Sequence, residues 1–258
     1  MRIFNQYGDV YRTGFFAYDQ RFRGGSNVVM ADINNDGAEE TVLGDTNRVD
    51  IYDSAGNLYK RFYPYTESYT GGINITAGDL DQDGDMEIVT GTERGGGPQI
   101  RIFNHDGVLI NPGFFAYDKA FRGGVNVTIG DLDGDGWKEI IAGAGTGGGP
   151  HIRVFGLDGR VINPGFFAYD KAFRGGVNVA VGDIDGDGVD EIIAGAGQGG
   201  GPHVKVFDKT GRLLFSDGFF AFDASDRDGV KVTCTDLDND GKDEIIAETT
   251  SVFTISAF

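Results

Sequence analysis

Five short acidic loops recur along the chain, and their carboxylates are spaced as a metal-binding loop requires. They read DINNDGAEE (32–40), DLDQDGDME (79–87), DLDGDGWKE (131–139), DIDGDGVDE (183–191) and DLDNDGKDE (236–244). Each has Asp or Asn at positions 1, 3 and 5, Gly at position 6 and Glu at position 9. Carboxylates this close repel one another unless a cation lies between them. We therefore predict one metal ion in each loop.

The donor set favours Ca²⁺ over Mg²⁺, because all the ligands are oxygens on a flexible loop and the glycine permits a sharp turn. An EF-hand is excluded because it needs Glu at position 12, where these loops have Leu43, Thr90, Ala142, Ala194 and Ala247. The expected ligands are the side chains at positions 1, 3, 5 and 9 and the carbonyl at position 7. By loop they are Asp32, Asn34, Asp36, Ala38 and Glu40; Asp79, Asp81, Asp83, Asp85 and Glu87; Asp131, Asp133, Asp135, Trp137 and Glu139; Asp183, Asp185, Asp187, Val189 and Glu191; and Asp236, Asp238, Asp240, Lys242 and Glu244.

The loops belong to a longer repeat. Residues 112–126 and 164–178 are identical, at an offset of 52 residues, and weaker copies occupy 14–27, 61–74 and 218–231. Five copies account for the whole chain, which predicts a single domain spanning residues 1–258. Each copy contains four strand-like runs bounded by Gly and Asp or Asn turns, with no helical period.

The fold class follows from pairs of adjacent aromatic residues. Phe166 and Phe167 must point to opposite faces of a strand, which predicts sheets buried on both faces. Sheets stacked around an axis meet this condition, so we expect an all-β, five-bladed β-propeller of four-stranded antiparallel blades. Residues 11–18 would supply the outermost strand of the last blade and close the ring. For the strand beside it, residues 251–258 are favoured over residues 1–5.

The composition excludes several classes of function. The chain has 40 Asp and Glu against 22 Lys and Arg, a net charge of −18, whereas nucleic acids and anionic membranes bind basic surfaces. No apolar run approaches the 18 residues of a membrane span. One Cys excludes a disulfide framework, and three His disfavour zinc or His-based catalysis.

With strands such as EIIAGAG after the loops and a Gly-rich segment ending in Pro, the chain resembles the FG-GAP/VCBS calcium-binding β-propeller family. That family includes the headpiece propeller of integrin α subunits and many bacterial surface proteins. The resemblance implies up to five Ca²⁺ ions, the same ligand positions, and an extracellular or cell-surface location, although the first 25 residues carry no secretion signal. The family usually has Asp at position 9 and more often seven blades, and Asn34 lowers the charge of the first loop.

The face opposite the acidic loops is predicted to carry cations. The turns that end each copy bring Arg23, Arg122, Arg174 and Arg227 there, and His151 and His203 begin strands on the same side. This suggests a shallow surface for an anion or glycan. The alternative is that each Arg pairs with the Asp of its own FAYD segment.

No nucleophile–base pair repeats or stands out, so we expect no enzyme activity. The function predicted from sequence is a calcium-stabilised extracellular module that binds a protein or glycan in adhesion. A multivalent lectin is the alternative, and a polysaccharide-active enzyme ranks third. The segments GAGTGG (143–148) and GAGQGG (195–200) match a dinucleotide fingerprint, but a strand pattern follows each where the fingerprint needs a helix.

Removal of calcium should destabilise the protein. Extracellular modules bind Ca²⁺ with Kd of roughly 0.1–1 mM, and saturation at about 100 times Kd stabilises by about 2.7 kcal/mol per independent site. We expect EDTA to lower the Tm by many degrees in calorimetry and Mg²⁺ to restore little of the loss. An unchanged melting curve in EDTA would contradict the metal assignment.

Overall fold

A computed structural model describes residues 3–4, 10–12 and 26–249 of the chain, and every regular element in them is a β-strand. None of these residues forms a helix able to cross a membrane. The strands are β1 (Ile3–Phe4), β2 (Val10–Arg12), β3 (Asn27–Ala31), β4 (Glu40–Gly44), β5 (Val49–Tyr52), β6 (Leu58–Phe62), β7 (Ile73–Gly78), β8 (Glu87–Thr92), β9 (Gln99–Phe103), β10 (Leu109–Phe115), β11 (Val125–Gly130), β12 (Glu139–Ala144), β13 (His151–Phe155), β14 (Val161–Phe167), β15 (Val177–Gly182), β16 (Glu191–Ala196), β17 (His203–Phe207), β18 (Leu213–Phe220), β19 (Lys231–Thr235) and β20 (Glu244–Glu248).

The strands form antiparallel sheets in chain order. We name the four-stranded ones sheet I (β3–β6), sheet II (β7–β10), sheet III (β11–β14) and sheet IV (β15–β18), and the two-stranded β19–β20 sheet V. The first strands of successive sheets contact one another, from β3 to β7 and onward to β19. The predicted all-β class and the four-stranded antiparallel repeat are therefore confirmed.

Four hydrophobic cores lie between successive sheets. The second strand of sheet III shows how: Ile140 packs in the core shared with sheet II, and the adjacent Ile141 packs in the core shared with sheet IV. All six residues of β8, β12 and β16 are buried. Neighbouring residues of a strand point to opposite faces, so a run without alternation marks a strand covered on both sides.

The outermost strands do not share this burial. Phe166 packs beside Phe207 of the next sheet, with ring centroids 5.0 Å apart. Phe167, expected to be buried on the other face, is instead 50% exposed. The prediction of burial on both faces is wrong here, because β14 lies at the edge of its sheet and only one of its faces is well covered.

Equivalent residues from all five sheets line one central cavity of about 390 Å³: Asn27, Asn74, Asn126, Asn178 and Lys231. Each asparagine Nδ2 donates to the carbonyl of the residue just before the next position, at 2.7–2.8 Å. Hydrogen bonds thus pass from sheet to sheet around an axis, and the arrangement is propeller-like.

Tyrosines of the FAYD segments also join successive sheets. Tyr117 follows sheet II, and its hydroxyl lies 2.7 Å from the carbonyl oxygens of Ala142 and His151 in sheet III. The Arg153 guanidinium lies over the ring, 5.5 Å from its centroid. Tyr169 contacts sheet IV in the same way. Burial raises the pKa of both phenols well above its usual range, so the hydroxyls remain donors.

The Gly-rich stretches serve packing. A side chain at Gly145 would come within 2.0 Å of the Gly123 carbonyl oxygen in the preceding turn, and Gly197 meets Gly175 identically. Strands β13 and β17 follow these stretches, which excludes the dinucleotide motif because that motif opens a helix.

Near the amino terminus, β1 pairs antiparallel with β2, with Phe4 opposite Val10. Phe155 faces Val161 in the same way where β13 pairs with β14. Residues 3–4 thus have the register of a third strand, the role for which the sequence favours residues 251–258. That segment, and residues 13–18 of the expected outermost strand, lie outside the described residues.

Replacing Tyr117 with Phe should lower the free energy of unfolding by about 1–2 kcal/mol, because a buried donor to two carbonyls is lost. Tyr63→Phe is the control, since Tyr63 is 60% exposed. Urea unfolding measures both, and equal effects would contradict a role for the Tyr117 hydroxyl in joining the sheets.

Candidate metal centres

In four of the acidic loops, three carboxylates converge. Their oxygen atoms lie within 4.8 Å of one another, and they come from positions 1, 3 and 9 of each loop. The clusters are Asp79, Asp81 and Glu87; Asp131, Asp133 and Glu139; Asp183, Asp185 and Glu191; and Asp236, Asp238 and Glu244. Three oxygens at this separation are a set that a hard cation can bridge.

The strand pairing places the glutamate. Each loop joins the first two strands of a sheet, and Glu139 begins β12 directly opposite Gly130, the last residue of β11. The Glu139 carboxylate accepts the Leu132 N–H at 2.9 Å, closing the loop across positions 2 and 9. The same bond recurs in the other four loops at 2.8–3.2 Å.

The first aspartate is held by the loop backbone. Asp131 Oδ1 accepts the Gly134 N–H and Oδ2 accepts the Gly136 N–H, each at 2.8 Å. Gly136 has φ +85°, a conformation that glycine adopts without strain. Oδ1 also accepts the N–H groups of Asp133 and Asp135, at 3.3 and 3.2 Å, so these bonds fix the carboxylate and leave a lone pair on Oδ2 for a metal.

The aspartate at position 5 accepts a different backbone N–H group, that of position 7. Asp135 Oδ1 accepts the N–H of Trp137 at 2.8 Å, and Asp36, Asp83, Asp187 and Asp240 do the same in their loops. None of these five belongs to a cluster of three. Trp137 itself is 48% exposed.

The glutamates are costly to ionise without a cation. Burial foremost, with repulsion from the neighbouring aspartates, raises the pKa of Glu87 and of Glu191 to about 7. The pKa of Asp81 is also raised by burial, and its Oδ1 is buried with no hydrogen-bond partner. A divalent cation would fill this unmet coordination, so the residues present fit calcium.

The first loop differs at position 3. Asn34 replaces the aspartate, and no cluster of three acidic ligands forms there among the described residues. Glu40 is nevertheless buried, and burial raises its pKa. The loop retains the fold of the others with one charge fewer.

Position 8 joins neighbouring loops, which sequence analysis did not find. Asp131 N–H donates to Asp190 Oδ2 and Asp190 N–H donates to the Asp131 carbonyl, both at 2.8 Å. Asp243 and Asp183 form the same pair between sheets V and IV. The signal in the sequence was Asp at position 8 in the last two loops only.

Two family models match parts of the chain. Residues 32–90 match an FG-GAP-like repeat, and residues 175–213 match an FG-GAP repeat. Two segments of the chain thus match FG-GAP repeats. The matched segments include the first, second and fourth acidic loops. No curated protein sequence matches the chain.

Solved structures share the fold of these FG-GAP repeats. They include the exotype rhamnogalacturonan lyase YesX (TM-score 0.52, 19% identity, 74% of this chain and 40% of that one) and the rhamnogalacturonan lyase YesW (0.52, 17%, 83% and 44%). A third is the Bacillus licheniformis rhamnogalacturonan lyase PL11 (0.50, 18%, 86% and 55%). The chain spans about half the length of these structures or less, and identities this low establish likeness of fold.

On the face opposite the acidic loops, the arginines bind their own turns. Arg122 Nη1 donates to the carbonyls of Lys119 and Phe121 at 2.6 and 3.0 Å. Arg174 and Arg227 repeat this arrangement. Among the described residues no carboxylate lies within ion-pair distance of these three, so the alternative of pairing with Asp118 or Asp170 is wrong. Arg23 lies outside the described residues.

The two histidines of this face are not cations. His151 stacks on Phe167 and His203 on Phe220, each with ring centroids 4.6 Å apart. Burial lowers the pKa of both imidazoles below its usual value, so they are neutral at pH 7. Cys234 packs beside the last core, and burial raises its pKa to about 12, as expected of an unreactive thiol.

The third acidic loop already has a cation of the protein beside it. Lys209, in the turn between β17 and β18, places its Nζ 2.8 Å from Oδ2 of Asp133, which belongs to the carboxylate cluster of that loop. The Lys209 ammonium lowers the pKa of Asp133. A metal ion bound to Asp133 would compete with this ammonium for the carboxylate, and one repeat earlier the equivalent residue is Leu157.

Replacing Lys209 with Leu should therefore tighten calcium binding at one site by about two- to fivefold, the range of a partly exposed ion pair. Lys171→Leu is the matched control, because it removes the same charge from the opposite face. Chelator-competition titration would decide, and equal changes in the two variants would show that net charge alone is responsible.

Proposed function

We propose that this chain is a calcium-stabilised, extracellular five-bladed propeller that acts as a binding or adhesion module without catalytic activity. The observation that carries the proposal is the convergence of three carboxylates in four successive loops. Ca²⁺ would neutralise these clusters and hold the first two strands of each sheet together, so the opposite face could be presented rigidly to a partner.

Closure of the ring is part of the proposal. Sheet V has two strands in the described part of the chain, and β1–β2 has the register of the outer two strands of a sheet. Together they would supply the four strands of a fifth blade. A blade built from both ends of the chain would tie the ring shut and make its sheets fold as one unit.

The binding surface would be the face opposite the acidic loops. It carries the Gly-rich turns, the three arginines that cap their own turns, and exposed aromatic rings beside them, as at Phe167 and Phe220. The partner is a protein or a glycan. Repetition of the His–Phe pair in two sheets favours the second candidate, a multivalent lectin.

A polysaccharide-active enzyme ranks third. Three solved structures of similar fold are rhamnogalacturonan lyases, and the proposal of a binding module predicts that this chain does not turn over such polymers.

The test is retention of ligands by the immobilised chain on a glycan array and on extracellular-matrix proteins, in calcium and after EDTA. We expect calcium-dependent binding to members of one class. Binding to neither class in calcium, or release of oligosaccharides from polysaccharide incubated with the chain, would overturn the proposal.

A further inference from the structure

A cleft of about 490 Å³ opens on this face between sheets I and II. We call it the I/II cleft. It is lined by Thr66 and Ser68 in the turn after β6, by the glycines of the loop between β8 and β9, and by Gln99 and Phe115 of sheet II. Lys119 and Arg122, in the turn after β10, also line it. The volume is within the range of small-ligand sites.

The charge of this cleft is opposite to that of the protein. Of the residues that the structure describes, Arg101, Lys119 and Arg122 line it and no Asp or Glu does, in a chain of net charge −18. The central cavity, in contrast, is lined by Glu93, Asp228 and Glu248 as well as by cations. An anion is therefore attracted to the I/II cleft more than to its surroundings.

Two of the three cations are available to a ligand. Arg101 is occupied, since its Nη1 donates to the Pro64 carbonyl at 2.6 Å and its guanidinium lies over Tyr65. Lys119 forms no ion pair with the described residues. Arg122 uses Nη1 on its own turn, which leaves further N–H donors of its guanidinium.

Departures from the repeat converge in this cleft. Thr66 stands where the next copies have Asp118 and Asp170, so that carboxylate is absent, whereas Glu67 beside it replaces their Lys119 and Lys171 and lines a different cavity. Gln99 stands where they have His151 and His203. Ser68 and Thr92 likewise replace alanines, and the substitutions add hydroxyl and amide groups to the cleft.

An apolar surface lies beside these groups. Phe115 is 47% exposed, and its ring forms no aromatic pair with the described residues, unlike Phe167 and Phe220. Gly97 allows the approach, since a side chain there would come within 3.2 Å of the Phe115 ring and 3.8 Å of Arg122 Nη1. The Gln99 amide has no hydrogen-bond partner among the described residues.

We propose that the I/II cleft binds an anionic saccharide. The sugar ring would lie on Phe115, its hydroxyls would bond to Gln99, Thr66 and Ser68, and its carboxylate or sulfate would bind Lys119 and Arg122. The inference rests on the proposed function and narrows its ligand to one class.

The experiment is isothermal titration of the calcium-loaded full chain with trigalacturonate, a sulfated disaccharide and a neutral galactose trisaccharide. Arg122→Gln is the test variant. Arg160→Gln is its control, because it removes the same charge from an exposed arginine in the turn between β13 and β14, at the acidic-loop end. We expect an anionic sugar to bind, about tenfold or more weakly to Arg122→Gln, and unchanged to Arg160→Gln. The two anionic probes identify which group is held.

Converting Gln99 to His, the residue of the neighbouring clefts, should also weaken binding, because a ring would then cover Phe115. Equal affinity for the neutral trisaccharide, or equal losses in the two arginine variants, would overturn the inference. If no anionic sugar binds while array or matrix ligands still do, the inference fails and the proposed function stands. If those also fail to bind, the proposed function itself is lost.

Discussion

Burial of the second strand of each sheet on both faces is the constraint on which this structure depends. Ile140 and Ile141 are adjacent, yet each packs against a different neighbouring sheet. Burying one such side chain stabilises by about 1.5–3 kcal/mol, and a sheet alone would expose both. Hydrophobic burial therefore requires a neighbouring sheet on each face, but it does not fix the angle between the sheets. The directional bonds of Asn126 and Tyr117 to the next sheet fix it.

The hairpin connections separate charge along the axis. Successive antiparallel strands put the acidic loops at one end and the Gly-rich and arginine-bearing turns at the other. At the acidic end, the paired bonds between Asp131 and Asp190 cross from one loop to the next. A cation bound in one loop would therefore act on the neighbouring sheet as well. Hydrogen bonds between loops and hydrophobic contacts thus join the same pairs of sheets.

Whether a feature could be predicted from sequence depended on how local its interactions are. The loop geometry was predictable because Asp131 bonds to N–H groups within five residues. The Asn126 and Tyr117 bonds were not, since their partners lie 51 and 25 residues away and both residues read as ordinary strand or turn positions. The exposure of Phe167 was missed because two adjacent aromatic residues do not require burial on both faces when their strand lies at the edge of a sheet. For Arg122 the sequence suggested a ligand surface, with a carboxylate partner as the alternative, and neither interpretation included the backbone carbonyls that it binds.

In a repeat this regular, residues that the copies share are explained by their part in folding. Positions at which one copy differs from the others are therefore the ones that can indicate a function. The turn at Thr66 keeps the backbone bond of its counterpart at Asp118, with Tyr69 N–H on the Thr66 carbonyl and Phe121 N–H on the Asp118 carbonyl, both at 2.9 Å. The side chains differ: Asp118 accepts the Ala120 N–H, whereas Thr66 pairs with the Ser68 hydroxyl. The same turn forms with either residue, so folding does not require the loss of the carboxylate. The difference instead changes what the cleft offers to a ligand, because the hydroxyls of Thr66 and Ser68 line it together with Lys119 and Arg122.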